Sequence, residues 1–109
     1  MIKENIQKLL AEEKRRCGGL VLADFYRVKI KQLSSSYLKR YTKQELRILR
    51  NSLIARYGLA YQDPELRRIY SQMPWYHPTE ITASEILDQK MSDLERANIQ
   101  TMLKVERAK

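Results

Sequence analysis

Apolar and polar positions between Thr42 and Gly58 recur with the 3.6-residue period of an amphipathic helix. Thr42 with Glu45 three residues later is typical of a capping box, in which each side chain accepts a backbone N–H at the helix start. Gly58 follows the last apolar position, where glycine readily adopts the left-handed conformation that ends many helices. The pattern predicts a central helix with Arg47, Asn51 and Ser52 on its polar side. Its predicted apolar face consists of Leu46, Leu49, Leu53, Ile54 and Tyr57.

Arg50 interrupts this apolar face, because it falls between Leu46 and Leu53. A buried guanidinium is stable only with a carboxylate partner or with its head group in water. Asp63 and Glu65 are the nearest following carboxylates in sequence, so we predict one of them as the partner. A structural ion pair explains Arg50 better than ligand binding does.

Two further helices are predicted in the N-terminal part. Residues 2–16 have apolar positions at helical spacing. In residues 20–33, the positions Leu22, Tyr26, Ile30 and Leu33 suit one helical face, with Val21, Phe25 and Val28 beside it. Residues 28–31 also alternate like a strand, but length and the absence of a partner strand favour a helix. Residues 34–36 are predicted to be a linker, and residues 37–41 a short helical turn.

Three start signals predict the helices of the C-terminal part. Asp63 before Pro64 is a strong helix start, Thr82 with Glu85 indicates a short helix over residues 83–90, and Ser92 with Glu95 opens the last helix. Asn98 lies within the apolar stripe of that last helix, which predicts a buried, hydrogen-bonded side chain. Together these elements predict an all-α fold, a small single domain of five or six short helices.

The charge is concentrated in the first half of the chain. The 109 residues carry a net charge of +8, and residues 1–58 contain 14 basic and five acidic residues. This imbalance indicates an anionic partner, although solubility alone also explains such a charge. We predict either an acidic protein surface or nucleic acid as the partner. The candidate binding surface consists of Lys14, Arg15, Arg16, Arg27, Lys29, Lys31, Lys39, Arg40, Lys43, Arg47 and Arg56.

Catalytic and metal-binding signatures are weak in this sequence. Cys17 and His77 are the single cysteine and histidine, which cannot form a zinc site of several such ligands, and the three glycines form no phosphate-binding loop. We predict that the protein is not an enzyme and uses no metal or cofactor. Trp75 and Tyr76 could stack on a ligand, but a role in the core is favoured. The predicted core and anchor residues are Leu46, Arg50, Leu53, Tyr57, Gly58, Tyr70, Trp75, Tyr76 and Asn98.

The location is predicted from the same sequence. No stretch approaches the roughly 20 apolar residues of a membrane span, so none is expected. The first residues carry several glutamates and no continuous hydrophobic segment, which is not the pattern of a secretory signal. This pattern and the single cysteine predict a cytoplasmic protein.

The run ELRILRNSLIARYGLAYQDPELRRIYSQMPWYHP, followed by LERANI, resembles the YARHG domain of bacterial proteins over about residues 36–108. The motif that names the family falls on Ile54 to Gly58, where Ile54 replaces its tyrosine and Tyr57 its histidine. The resemblance implies a small non-catalytic module, presumed extracellular. Residues 1–35 lack a counterpart, so we predict a basic two-helix extension over residues 1–35 and a YARHG-like helical unit over residues 36–109, packed as one compact unit.

Three functions follow as expectations. The first is a small basic interaction module, a regulator or inhibitor that docks on an acidic or nucleic-acid-binding protein surface. The second is direct binding of nucleic acid through its phosphate backbone, which no named nucleic-acid-binding motif supports. The third, an extracellular module associated with the cell envelope, is implied by the family resemblance alone.

Overall fold

The computed structural model describes residues 17–109, and in this part of the chain it contains α-helices and no strand. The predicted all-α fold is therefore confirmed. The predicted helix over residues 2–16, with Lys14, Arg15 and Arg16, lies outside the described residues. Between residues 17 and 109, no helix is long and apolar enough to cross a bilayer. The helices are α1 (Leu22–Ile30), α2 (Ser35–Leu38), α3 (Lys43–Ala55), α4 (Pro64–Tyr70), α5 (Ala83–Glu85), which continues into a π-helical turn (Ile86–Lys90), and α6 (Asp93–Arg107).

The predicted helix starts are confirmed by their hydrogen bonds. The Thr42 hydroxyl accepts from the Glu45 N–H at 3.1 Å, and the Thr42 N–H donates to the Glu45 carboxylate at 2.8 Å. Ser92 forms the same reciprocal pair with Glu95 at the start of α6. Asp63 accepts from two backbone N–H groups at the start of α4. These local contacts satisfy donors that a helix start leaves without partners.

Within residues 20–33, Leu22–Ile30 form helix α1, so the strand alternative is wrong. The predicted apolar face of this helix is wrong in its rotation: Phe25 and Val28 are buried, whereas Leu22, Tyr26 and Ile30 are 52%, 60% and 55% exposed. Apolar residues occupy two adjacent sides of α1, and the contacts of α1 with α3 and α6 bury one side. The other side remains at the surface.

The serine linker predicted over residues 34–36 is a helix start instead. Ser34 is the N-cap of α2, and its hydroxyl accepts from the Tyr37 N–H at 3.1 Å. Ser35 and Ser36 belong to α2, which ends at Leu38. Serine is favoured at the N-cap position because its short side-chain hydroxyl can accept a hydrogen bond from a backbone N–H of the first turn.

Helix α3 is the centre of the fold and contacts α1, α4 and α6. Because neighbours surround it, α3 is buried on more than its predicted apolar face. Ser52, predicted on the polar side, is fully buried, and its hydroxyl donates to the Leu49 carbonyl at 2.5 Å. The buried residues of α3 are Leu46, Ile48, Leu49, Ser52, Leu53 and Ala55.

The predicted partner of Arg50 is wrong. Arg50 donates from Nε and Nη2 to the two carboxylate oxygens of Glu106, at 2.5 and 3.3 Å. Glu106 lies near the end of α6, and the packing of α6 beside α3 brings the two side chains together. Asp63 caps α4 and pairs with Arg47 at 2.9 Å, while Glu65 accepts from a glutamine of α3. The Arg50–Glu106 pair thus connects the central and last helices.

Asn98 connects α6 to the end of α1 and is fully buried, which confirms its predicted environment. Its side-chain oxygen accepts from the Leu33 N–H at 2.9 Å. Its side-chain nitrogen donates to the carbonyls of Val28 and Lys31, each at 2.8 Å. One amide therefore satisfies three backbone groups where α1 ends.

A cluster of aromatic rings fills the space beside α4. Tyr70 is fully buried, and its hydroxyl donates to the Ile48 carbonyl at 2.6 Å. The ring centres of Tyr61, Tyr76 and Trp75 lie 5.1, 5.9 and 6.2 Å from that of Tyr70. Burial raises the pKa of the Tyr70 hydroxyl above its ordinary value. Trp75 packs against the core but is only partly buried, so one part of its ring stays accessible.

Candidate binding sites

Several residues of the predicted basic surface are engaged within the protein. Lys29 donates to Glu95 across the α1–α6 contact, and its ammonium lies 5.4 Å from the centre of the Tyr57 ring. Three ion pairs of this kind reduce the positive charge that is available to a partner. The pairs are Arg27 with Asp24 at 3.5 Å, Lys29 with Glu95 at 3.2 Å and Arg47 with Asp63 at 2.9 Å.

Other predicted cations lie at the surface without an ion pair to any of residues 17–109. Arg40 stacks on the Tyr37 ring, with its guanidinium carbon 3.8 Å from the ring centre, and donates to the Tyr37 carbonyl. Its charge remains exposed above this ring. The exposed members of this group are Lys31, Lys39, Arg40 and Lys43.

Three lysines line one concavity of about 410 Å³, which we name the lysine depression: Lys39, Lys104 and Lys109, together with Ser35, Val105 and Ala108. The Lys109 ammonium donates to the Lys39 carbonyl at 3.2 Å. No carboxylate of the described chain forms an ion pair with these lysines. The sequence does not indicate Lys104 and Lys109 as binding residues, because they lie in its acidic last third. Only the packing of α2 on α6 brings them close to Lys39.

A second concavity of about 520 Å³ lies between α1 and the segment after α4. We name it the aromatic groove; it is lined by Leu22, Ala23, Phe25, Tyr26, Arg56, Pro74 and Trp75. Arg56 is the single charged residue among these. Helix α1 supplies one wall, and the exposed side chain of Tyr26 stands at its edge. The groove is therefore mainly apolar, with one cation.

The Arg56 guanidinium lies over the Trp75 ring, with its central carbon 4.4 Å from the ring centre. Its Nε is buried and has no hydrogen-bond partner. Burial lowers the pKa of Arg56 below its ordinary value, and the nearby Glu95 carboxylate opposes this effect. Within the described part of the chain, no carboxylate forms an ion pair with Arg56. An anionic group from outside the protein would find an unpaired guanidinium here.

The YARHG domain family model matches residues 25–107. The chain belongs to the YARHG domain family. This match starts eleven residues before the resemblance read from the sequence, and it includes most of α1. No curated protein and no solved structure matches the chain.

The YARHG motif lies at the C-terminal end of α3, and three of its residues lie in different environments. Arg56 faces Trp75 in the aromatic groove. Tyr57, at the position of the family's histidine, donates its hydroxyl to Glu95 at 2.5 Å. Gly58 has a φ of +99°, as expected for the left-handed end of a helix. Tyr57 thus places a hydroxyl donor on a buried carboxylate.

Glu95 is the acidic centre beside this YARHG motif and is 1% exposed. Burial by itself raises its pKa, but hydrogen bonds from the Tyr57 hydroxyl, the Ser92 N–H and the Lys29 ammonium outweigh burial and lower it. Burial and the bond to Glu95 raise the pKa of Tyr57 to about 12. These three donors already bind the Glu95 carboxylate. Arg56 lies near Glu95 but forms no direct ion pair with it.

Proposed function

We propose that this YARHG-domain protein is a non-catalytic interaction module that docks on an acidic surface of a partner protein. The observation that carries the proposal is the lysine depression. Lys39, Lys104 and Lys109 line one concavity and form no ion pair with the described carboxylates. The neighbouring Arg40 adds a further exposed cation. Such a cluster attracts an acidic surface over several ångströms and orients it before contact.

An acidic protein fits the lysine depression better than a nucleic acid does. Val105 and Ala108 supply apolar area between the lysines, and protein side chains can fill such area while their carboxylates meet the ammonium groups. Phosphate-backbone binding uses many cations along a strand, yet Arg27, Lys29 and Arg47 of the predicted surface are already paired. Direct nucleic-acid binding remains the alternative that the experiment distinguishes.

The environments of the single cysteine and the single histidine of the sequence support a non-catalytic role. Cys17 is buried, at 4% exposure, and sits in a turn before α1. His77 is exposed, between Tyr76 and Pro78. Nucleophilic catalysis requires an accessible nucleophile with a base within hydrogen-bonding reach, and the burial of the single thiol does not favour this chemistry.

Fluorescence anisotropy with the full chain tests the proposal. The probes are a labelled oligoglutamate peptide, duplex and single-stranded DNA, RNA and heparin, each titrated over a salt series. We expect binding of oligoglutamate that is weakened by Lys39→Glu combined with Lys104→Glu. The control, Arg67→Glu with Lys90→Glu, changes the net charge equally at exposed positions elsewhere. If this control weakens binding as much as the test pair, the lysine depression is not the site.

The same titrations separate the two partner classes. Sub-micromolar binding of DNA or RNA at physiological salt, preferred over heparin and over oligoglutamate, would replace the protein partner with a nucleic acid. A salt dependence that becomes shallower with each removed cation would support phosphate contacts. Equal binding of all polyanions would leave the charge generic and contradict the proposed docking site.

A further inference from the structure

Helix α1 presents an apolar stripe to solvent. Leu22, Tyr26 and Ile30 are spaced four residues apart and therefore lie along one side of the helix. Each is more than half exposed. Exposed large apolar side chains that adjoin one another mark interaction sites more often than isolated ones do. The stripe is continuous with the aromatic groove, because Leu22 and Tyr26 also line that groove.

The single cation that lines the groove has no anionic partner among the described residues. The central carbon of the Arg56 guanidinium lies 4.4 Å from the centre of the Trp75 ring, and its Nε is buried without a hydrogen-bond partner, which leaves the terminal nitrogens for a ligand. Arg56 forms no ion pair with any carboxylate in residues 17–109, and Glu95 is occupied by Lys29, Tyr57 and the Ser92 N–H. A guanidinium binds a carboxylate through two parallel hydrogen bonds, a geometry that lysine cannot offer.

We propose that the aromatic groove binds a segment of a partner protein in which a carboxylate adjoins a large apolar side chain. The carboxylate pairs with Arg56, and the apolar side chain packs between Tyr26 and Trp75. The rest of the segment lies along α1 over Ile30. The inference rests on the proposed function, since the occupant is again an acidic protein, but it uses a site distinct from the lysine depression.

The chemistry of the lining favours this occupant over others. A nucleic acid would present several phosphates to a groove that contains a single cation. A purely apolar segment would bury the Arg56 guanidinium without a partner, which is unfavourable. A segment with one carboxylate beside an aromatic or aliphatic residue satisfies both the cation and the apolar walls. Anchors of this kind, a pocket-filling side chain beside a charged hydrogen bond, dominate many protein interfaces.

Selection from a random linear peptide library displayed on phage, with the full chain as the target, tests the inference. Bound sequences are synthesised with a fluorescent label, and their affinities are measured by anisotropy. We expect selected peptides to contain Asp or Glu next to a large apolar residue. Arg56→Gln should weaken them at least about tenfold. Arg67→Gln, at an exposed arginine of α4, is the matched control and should leave their affinity unchanged.

Tyr26→Ala provides a second variant that does not depend on a buried residue, because Tyr26 is 60% exposed. It should also weaken the selected peptides, whereas Lys39→Glu with Lys104→Glu should reduce oligoglutamate binding instead. This contrast separates a failure of the groove from a failure of the proposed function. Selection of basic peptides, or affinities unaffected by both Arg56→Gln and Tyr26→Ala, would overturn the inference. Self-association that Tyr26→Ala abolishes would also overturn it, because a second copy would then occupy the groove.

Discussion

Asn98→Ala offers a direct test of how the first and last described helices are joined. The substitution removes three hydrogen bonds, of 2.9 Å to the Leu33 N–H and 2.8 Å to the carbonyls of Val28 and Lys31. The bonds to Leu33 and Val28 are buried, and each buried group left without a partner costs roughly 1–3 kcal/mol. We therefore expect a loss of about 2–6 kcal/mol, a large part of the roughly 5–15 kcal/mol typical of a domain.

Urea unfolding followed by circular dichroism measures this loss for the full chain. The control is Gln100→Ala, which shortens an exposed side chain of the same helix and should change the free energy of unfolding little. Asn98→Asp keeps an acceptor for the Leu33 N–H but turns a carboxylate towards two carbonyls, so we expect it to be at least as destabilising as alanine. A loss below about 1 kcal/mol for Asn98→Ala would show that the three bonds are replaced, and would refute this account.

Three further substitutions test other contacts. Arg50→Ala should destabilise the fold by about 2–4 kcal/mol. A double-mutant cycle with Glu106→Ala, measured by urea unfolding, should give a favourable coupling energy between the two side chains. Additive effects of the two substitutions would contradict the ion pair. The folded-state pKa of Glu95 lies below its ordinary value of 4.5, so its stabilising contribution is present above that value and is lost as the pH falls. Glu95→Gln should therefore flatten the acid side of a plot of melting temperature against pH, and an unchanged acid side would contradict the assignment. Gly58→Ala should lower the free energy of unfolding in urea by about 1–3 kcal/mol. The φ of Gly58 is +99°, and a Cβ at this position would lie 3.2 Å from the His77 carbonyl oxygen. An unchanged free energy of unfolding would contradict this strain.

Helix starts could be predicted from the sequence because their signals are local. Thr42, Asp63, Thr82 and Ser92 each bond to a backbone N–H within three residues, so residue type and spacing contain the whole interaction. Ser34 shows the limit of this approach. Three consecutive serines indicate a linker by composition, and the cap is recognised only once the following residues are known to form a helix.

Contacts between helices could not be predicted in the same way. Periodicity identifies which residues of a helix share a side, but it contains no information on which other helix covers that side. The sequence therefore predicts a nearby carboxylate for Arg50, although its partner Glu106 is 56 residues away. For α1, apolar residues on two sides leave its buried side ambiguous, and the side predicted to be buried, which includes Tyr26, is the one that the structure exposes.

The candidate sites were partly visible in the sequence. Lys39 and Arg56 belong to the predicted basic surface, and their exposed or unpaired charge supports a role for each of them. The lysine depression also needs Lys104, which lies in an acidic part of the chain and reaches Lys39 only through the packing of α6. The sequence favours a core role for Trp75, and in the structure Trp75 both packs on the core and lines a groove.

The position of α6 in the chain has a consequence for synthesis on the ribosome. Helix α6 is the last described element to be translated, yet it supplies Asn98 for the end of α1 and Glu106 for Arg50. Until both residues emerge, α1 ends with unsatisfied backbone groups and α3 exposes the side that α6 covers. Contacts over 56 to 70 residues also slow folding. The nascent chain can form its capped helices early, but it closes its core only once α6 packs on it, and until then the apolar side of α3 is open to chaperones.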